Sequence, residues 1–169
     1  MRLGFVVNPL AGTGGPLALK GSDGLASEDA GGWAAARALR ALRGLAGGVT
    51  LLTGADAMGE AVAAAAGVVA EVVHRPPGAS CGADTTACVA AAMAAGAELI
   101  VFVGGDGTAR DVLAAAPMVP VLGVPAGVKM HSSVFATSPG AAAAILADVA
   151  ARGITGSALA EVLDRDADG

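Results

Sequence analysis

Residues 99–111, Leu-Ile-Val-Phe-Val-Gly-Gly-Asp-Gly-Thr-Ala-Arg-Asp, join a short apolar run to a cluster of glycines. The run is continuous and rich in β-branched residues, which predicts a buried parallel strand. The glycines predict a tight turn whose backbone N–H groups a ligand can approach closely. From Thr108 to about residue 116 the sequence predicts a helix. A strand that enters a helix through such a turn favours an anion, because free N–H groups and the helix dipole attract negative charge.

Asp106 is the acidic residue inside this turn. A phosphate bound to the surrounding amides would repel its carboxylate, so the acid needs another task. Two tasks suit it: accepting a proton from an attacking hydroxyl, or holding a cation. Gly-Gly-Asp-Gly is also common turn chemistry after a strand. From these residues alone, both the functional and the structural interpretation stay open.

Three stretches resemble a known group of kinases. Residues 104–108, Gly-Gly-Asp-Gly-Thr, match the motif of NAD kinases, diacylglycerol and sphingosine kinases and, more distantly, phosphofructokinases. Residues 8–15 (Asn-Pro-Leu-Ala-Gly-Thr-Gly-Gly) and 19–24 (Leu-Lys-Gly-Ser-Asp-Gly) resemble the opening of the NAD kinase-like group that includes the acetoin-catabolism X proteins. Residues 123–132 (Gly-Val-Pro-Ala-Gly-Val-Lys-Met-His-Ser) resemble its later loop, where lipid kinases usually carry a Gly-Thr-Gly-Asn type sequence. The resemblance extends from about residue 3 to the end.

The resemblance implies an NAD kinase-like phosphotransferase that converts NAD to NADP with ATP or polyphosphate as donor. It implies that Asp106 is catalytic, accepting the proton of the ribose 2′-hydroxyl or orienting that hydroxyl, and that Mg²⁺ bridges the phosphate oxygens. It leaves two alternatives: a relative of the diacylglycerol-type lipid kinases, and a nucleotide-binding module without catalysis. The implied binding residues are Asn8, Gly12, Gly104, Gly105, Gly107, Thr108, Gly127, Lys129 and His131.

The residues of the other two loops suit such a site. The predicted loop from Asn8 to about residue 32 is long and glycine-rich, and it follows a strand at the edge where open α/β sheets bind ligands. The alternative interpretation of these residues is a flexible surface loop without a role in binding. Lys129 offers a mobile point charge suited to phosphate, and His131 titrates in a useful range. Arginines at positions 37, 40 and 43 are interpreted as a solvated helix face.

Charge and cysteine usage limit the partners. A net charge of −5 argues against a nucleic-acid surface, which needs clustered Lys and Arg. No apolar run approaches the roughly 18 residues of a membrane span. Cys81 and Cys88 have no metal or redox spacing, which favours free thiols and a cytoplasmic protein, and no protein metal site is predicted. The expected partner is a small-molecule nucleotide, not nucleic acid or a membrane.

Strand and helix patterns alternate along residues 1–155. This order predicts an α/β, Rossmann-like three-layer domain with a mainly parallel sheet and helices on both faces. Residues 158–163 suggest a further strand before a charged tail. NAD kinases continue into a β-rich domain, so the resemblance makes residues 156–169 the start of a missing carboxyl-terminal region, or a tail. The further expectation is a homo-oligomer, or the missing second domain.

Overall fold

The computed structural model describes residues 1–12, 27–45, 47–127 and 130–163, in which strands and helices alternate. The five strands of these residues form one parallel sheet in the order β3-β2-β1-β4-β5. Helices cover both faces of the sheet, which confirms the predicted α/β class. The elements are β1 Arg2–Val7, α1 Ser27–Leu42, β2 Thr50–Gly54, α2 Glu60–Ala66, β3 Val69–His74, α3 Gly82–Ala94, β4 Leu99–Gly104, α4 Asp106–Ala114, β5 Val121–Pro125 and α5 Pro139–Arg152.

The apolar core is divided between the two faces of the sheet. Side chains of a strand alternate between faces, so Phe5 and Val101 pack on one side, and Val6 and Phe102 on the other. Alanines of α1 and α5 lie against the first side, and α3 and α4 cover the second. Because alanine is small, these helices pack close to the sheet.

The centre of the sheet is a topological switch point. β1 and β4 are neighbours, with Val7 opposite Val103, so their carboxyl ends lie side by side. The helices that follow these strands lie on opposite faces, α1 with the first core cluster and α4 with the second. In open α/β sheets this divergence opens a crevice for ligands beyond the strand ends. The loop after β1 and the glycine motif after β4 therefore begin at the same place.

Several helix boundaries differ from the sequence predictions. The sequence predicts a helix from Trp33 to about residue 46, after a loop that reaches residue 32, but α1 begins at Ser27 and ends at Leu42. Gly31 and Gly32 suggested a break, but Ser-Glu-Asp at residues 27–29 is typical of a helix start. α4 begins at Asp106, two residues before the predicted start. Residues 158–163 contain no assigned strand.

The sequence predicts a helix from Asp84, with Asp84 as its N-cap, but α3 begins at Gly82, Cys81 is the N-cap and Asp84 lies three residues later. Asp84 Oδ2 accepts a hydrogen bond from the Cys81 backbone N–H at 2.9 Å. Its Oδ1 lies 2.9 Å from His74 Nε2, at the end of β3. The predicted N-cap is therefore the reciprocal acid of a capping box, and it also ties α3 to the neighbouring strand.

We expect Asp84 to make folding stability depend on pH. The hydrogen bond with His74, followed by those from Cys81, lowers the pKa of this carboxyl below its ordinary value. A depressed pKa contributes stability above the unfolded-state value of about 3.9, and that stability is lost as the pH falls through the folded-state pKa. Urea unfolding from about pH 6 to about pH 3 should show a declining free energy of unfolding. Asp84→Asn should flatten this decline, whereas the exposed Asp148→Asn should not; an unchanged slope in Asp84→Asn contradicts the assignment.

Candidate active site

Asn8 and Thr108 join the two loops at the switch point. The Asn8 backbone N–H donates to the Val103 carbonyl at 3.0 Å, which extends the β1–β4 pairing by one residue. Its Nδ2 donates to Thr108 Oγ1 at 2.9 Å, and its Oδ1 accepts from the Leu10 N–H at 3.0 Å. Thr108 is buried at 2% exposure. The structure thus brings together two predicted binding residues that lie a hundred positions apart, and Asn8 orients the loop after β1.

Asp106 is the first residue of α4, and its carboxylate receives several hydrogen bonds from the loop after β5. Ser132 Oγ donates to Oδ1 at 2.6 Å, and the Ser132 backbone N–H donates to the same oxygen at 2.9 Å. The His131 backbone N–H donates to Oδ2 at 3.0 Å. The two predicted residues Asp106 and His131 are therefore in contact. His131 makes this contact through its backbone N–H and not through its imidazole.

These donors favour the ionised form of Asp106. Burial would raise the pKa of its carboxyl, but the hydrogen bonds from Ser132 and His131, helped by the His131 charge, outweigh burial. The net effect holds the pKa below the ordinary aspartate value. The carboxylate is therefore ionised near neutral pH, as a group that accepts a proton must be.

The glycines of the motif fall into two groups. A methyl group at Gly104 would overlap the Thr108 side chain, so Gly104 is required for the packing of β4 against α4. Among the residues that the structure describes, a Cβ at Gly105 would have only the end of Met130 nearby, at 3.9 Å, and one at Gly107 only Arg110, at 3.7 Å. The fold itself has room for side chains at these two positions. Their glycines keep the backbone open to an approaching molecule.

The first turn of α4 presents backbone donors beside this open backbone. Ala109 makes the first intrahelical bond, to the Gly105 carbonyl at 3.0 Å. The N–H groups of residues 106–108 precede that bond and carry the positive end of the helix dipole. Together with Gly105 and Gly107 they form the surface that the sequence predicts for phosphate. Asp111, one turn further along, lies against Gly82 of α3 instead.

The loop after β5 covers Asp106 from one side. Ala126 continues the strand pairing, because its N–H donates to the Gly104 carbonyl at 3.0 Å. Gly127 contacts the Met130 side chain, whose terminal carbon lies 2.6 Å from where a Cβ would stand. The predicted phosphate ligand Lys129 lies outside the described residues. The structure therefore places Gly127 and His131 of the predicted loop residues beside the glycine motif.

Trp33 and Arg37 are residues of this edge that the sequence interpretation missed. Trp33 Nε1 donates to the Ala126 carbonyl at 2.7 Å, and Gly12 packs against its indole. Arg37 lies 4.5 Å above the Trp33 ring and donates to the Pro125 carbonyl at 3.2 Å. Arg37 is thus half-buried against the end of β5, not on a solvated face as predicted. Its position one turn after a lone tryptophan was the available signal.

Other candidate chemistries lack support in the described part of the chain. No group of three or more His, Cys, Asp or Glu residues there is arranged to hold a metal ion. No helix among those residues combines the length and apolar character needed to cross a bilayer. Cys81 and Cys88 are free, and burial raises the pKa of the Cys88 thiol to about 12, which leaves it unreactive.

Comparison with known families agrees with this geometry. A family model described as the ATP-NAD kinase N-terminal domain matches residues 3–154, which include β1, the glycine motif and the loop after β5. Comparison with curated proteins and with solved structures gives no match. The family match covers well over half of the 169 residues. Together with the motif at the end of β4, it shows that the chain belongs to the ATP-NAD kinase family, through the amino-terminal domain of that family.

Proposed function

We propose that this chain is a phosphotransferase that phosphorylates NAD to NADP with ATP or polyphosphate as donor. The observation that carries the proposal is an ionised Asp106 at the start of α4, beside two glycines that leave the backbone open at the switch point. The family match supports a nucleotide as the substrate. Phosphoryl transfer depends mainly on positioning and charge stabilisation, so a small set of groups is chemically sufficient.

In this mechanism Asp106 acts on the acceptor hydroxyl. The 2′-oxygen of the adenosine ribose attacks the terminal phosphorus of the donor, and a new oxygen–phosphorus bond forms. The bond from that phosphorus to the leaving oxygen of ADP, or of the shortened polyphosphate, breaks. The hydroxyl proton passes to the Asp106 carboxylate, whose Oδ2 accepts one backbone bond, at 3.0 Å from the His131 nitrogen. The remaining lone pair of Oδ2 is the one that suits the hydroxyl.

The backbone of the glycine motif binds the phosphates. The N–H groups at the start of α4 attract the anionic donor, and Gly105 and Gly107 let it approach without contact with a side chain. Thr108 acts indirectly, because its hydroxyl accepts from Asn8 Nδ2 and so fixes the loop after β1. Gly12 keeps that loop close to Trp33 and Ala126, which shapes the adjacent wall.

Mg²⁺ fits this site when the donor's phosphates bind it. Asp106 Oδ1 accepts hydrogen bonds from the N–H and the hydroxyl of Ser132. Because these donors place positive partial charge beside Oδ1, this oxygen is a poor ligand for a cation. Magnesium commonly keeps several waters and binds through substrate phosphates. We therefore propose that the donor's phosphate oxygens and water hold the ion, which supplies charge neutralisation on the phosphates.

The test is NADP formation by the purified chain with NAD, Mg²⁺ and either ATP or polyphosphate, in separate reactions. Appearance of NADP with one donor supports the proposal and identifies that donor. Phosphorylation of diacylglycerol or a sphingoid base without NADP formation would replace it with the lipid kinase alternative. Binding of NAD or ATP by calorimetry, without turnover of either donor, would replace it with a nucleotide-binding module.

Gly105→Ala separates ligand approach from folding. The Gly105 backbone has φ −117° and ψ −167°, which alanine adopts freely. The added methyl group meets no atom of the described residues closer than 3.9 Å. The free energy of unfolding should fall by less than about 1 kcal/mol, the difference between glycine and alanine at an N-cap. A methyl group in the path of the phosphates should lower kcat/KM for the donor by about 10–100-fold. Steady-state kinetics and urea unfolding measure the two effects.

Gly78→Ala is the matched control, because Gly78 is exposed and a methyl group there meets no atom within 4 Å. This variant should keep the wild-type kcat/KM. If Gly105→Ala keeps it as well, the open backbone at Gly105 has no role in donor binding.

A further inference from the structure

The Ser132 hydroxyl connects Asp106 to residues 157–163, which we call the carboxyl-proximal segment. Ser132 is 5% exposed, and its Oγ donates to Asp106 Oδ1 at 2.6 Å. The same Oγ accepts from the Leu163 backbone N–H at 3.1 Å. A buried hydroxyl in this position has one proton to give, and the Leu163 donor leaves Asp106 as its acceptor. The ionised carboxylate can only accept, so the hydroxyl proton points to Asp106, and the Leu163 N–H helps to hold the Ser132 oxygen in place.

The segment is held to the same loop by a second serine. The Ser133 N–H donates to the Glu161 carbonyl at 2.9 Å, and the Glu161 N–H donates to Ser133 Oγ at 2.8 Å. Val162, between the two contacts, packs against the core cluster that contains Phe102. The segment is thus anchored by main-chain bonds and an apolar side chain. These anchors hold the Leu163 N–H in place against Ser132.

The bonds to the two Asp106 oxygens differ in exposure. The Ser132 bonds to Oδ1 are partly buried, whereas the His131 bond to Oδ2 is exposed to solvent. Hydrogen bonds to ionised groups are stronger than neutral ones, and a partly buried one is less weakened by water. Ser132 therefore fixes the rotation of the carboxylate and leaves Oδ2 as its accessible oxygen.

We propose that Ser132 is a positioning residue of the active site, which orients the Asp106 carboxylate for the acceptor hydroxyl. The inference rests on the proposed phosphotransferase function, because it assigns Asp106 Oδ2 to the acceptor hydroxyl. Ser132 itself acts through Asp106 and does not touch the substrate.

Adjacent serines provide the test. Ser132→Ala removes the hydroxyl's bonds to Asp106 and Leu163. Ser133→Ala removes only the hydroxyl's two bonds to the Glu161 main chain. Ser132→Ala should lower kcat at least tenfold with little change in KM for NAD, and Ser133→Ala should change neither. Ser132→Cys keeps a weak donor and should lie between wild type and Ser132→Ala. Equal loss of kcat in both alanine variants would overturn the proposal, because it would indicate a general role of the segment.

A second measurement does not need turnover. Carbon NMR of the side-chain carboxyls, with Asp106→Asn to assign the signal, gives the pKa of Asp106 in each variant. Loss of a donor to the ionised form should raise this pKa in Ser132→Ala and leave it unchanged in Ser133→Ala. The titratable and charged side chains nearby, His131 and Arg110 near Gly107, are the same in both variants. An unmoved pKa in Ser132→Ala overturns the role of the hydroxyl, even if NADP formation by the wild type fails.

Discussion

Asp106→Asn is expected to lower kcat for NADP formation by about 10²–10⁴-fold, the usual contribution of a general base. The asparagine amide is nearly the same size as the carboxylate, but it cannot accept the proton of the acceptor hydroxyl. It also removes the negative charge at the start of α4 that polarises that hydroxyl. Initial rates at saturating NAD and donor measure the loss, and KM for NAD should change little because binding groups are retained.

Folding should be largely preserved in this variant. An amide oxygen can still accept from the Ser132 N–H, so we expect a stability loss of about 1 kcal/mol, on the scale of one hydrogen bond. Asp148→Asn makes the same chemical change on the exposed surface of α5, where Asp148 pairs with Arg152. That control should keep the wild-type kcat. Turnover by Asp106→Asn at the wild-type rate would remove Asp106 from the mechanism.

Gly12→Ala is expected to lower the free energy of unfolding by about 2–4 kcal/mol, from a left-handed backbone and a steric overlap. Gly12 has φ +79°, and an added Cβ would overlap the Ala126 carbonyl oxygen. That oxygen also accepts from Trp33 Nε1 at 2.7 Å, so it cannot move without breaking a second contact. For a chain of this size the loss corresponds to a fall in Tm of roughly 5–15 °C.

Gly67→Ala distinguishes the cost of the left-handed backbone from the cost of the steric overlap. Gly67 ends α2 with φ +69°, and a Cβ there meets no atom within 4 Å. It should therefore show only the backbone cost, about 1 kcal/mol. Thermal unfolding followed by circular dichroism compares the two variants. Equal losses would mean that Gly12 does not pack against the Ala126 carbonyl.

The sequence was sufficient for the fold class because the pattern of β4 and its glycines is local. A buried strand, a turn and a helix follow one another within residues 99–114, and no distant contact is needed to predict them. Ser138 and Pro139 likewise mark the start of α5, where Ser138 Oγ accepts from the Ala141 N–H at 3.0 Å. Local start signals of this kind are reliable because the side chain satisfies its own helix.

The parts that were missed depend on contacts between distant residues. The order of strands places Asn8 beside Thr108, and nothing in the spacing of the two residues contains that order. Nothing in the loop sequence distinguishes Ser132, because its role depends on contacts with Asp106 and Leu163 that the fold creates. Arg37 belongs to a row of three arginines, and its half-buried position follows from contact with Trp33 and Pro125. Such roles arise from tertiary packing, which local patterns do not encode.

The contact between Trp33 and Ala126 makes the intrinsic fluorescence of the protein a probe of this edge of the sheet. The chain has one tryptophan and no tyrosine, so nearly all of its near-ultraviolet emission comes from a single indole. That indole touches Gly12 in the loop after β1, and its N–H binds the loop after β5. The intrinsic fluorescence therefore depends on the distance between the two loops that border the crevice. A change in this emission on addition of NAD or ATP would follow binding without a dye or an engineered label.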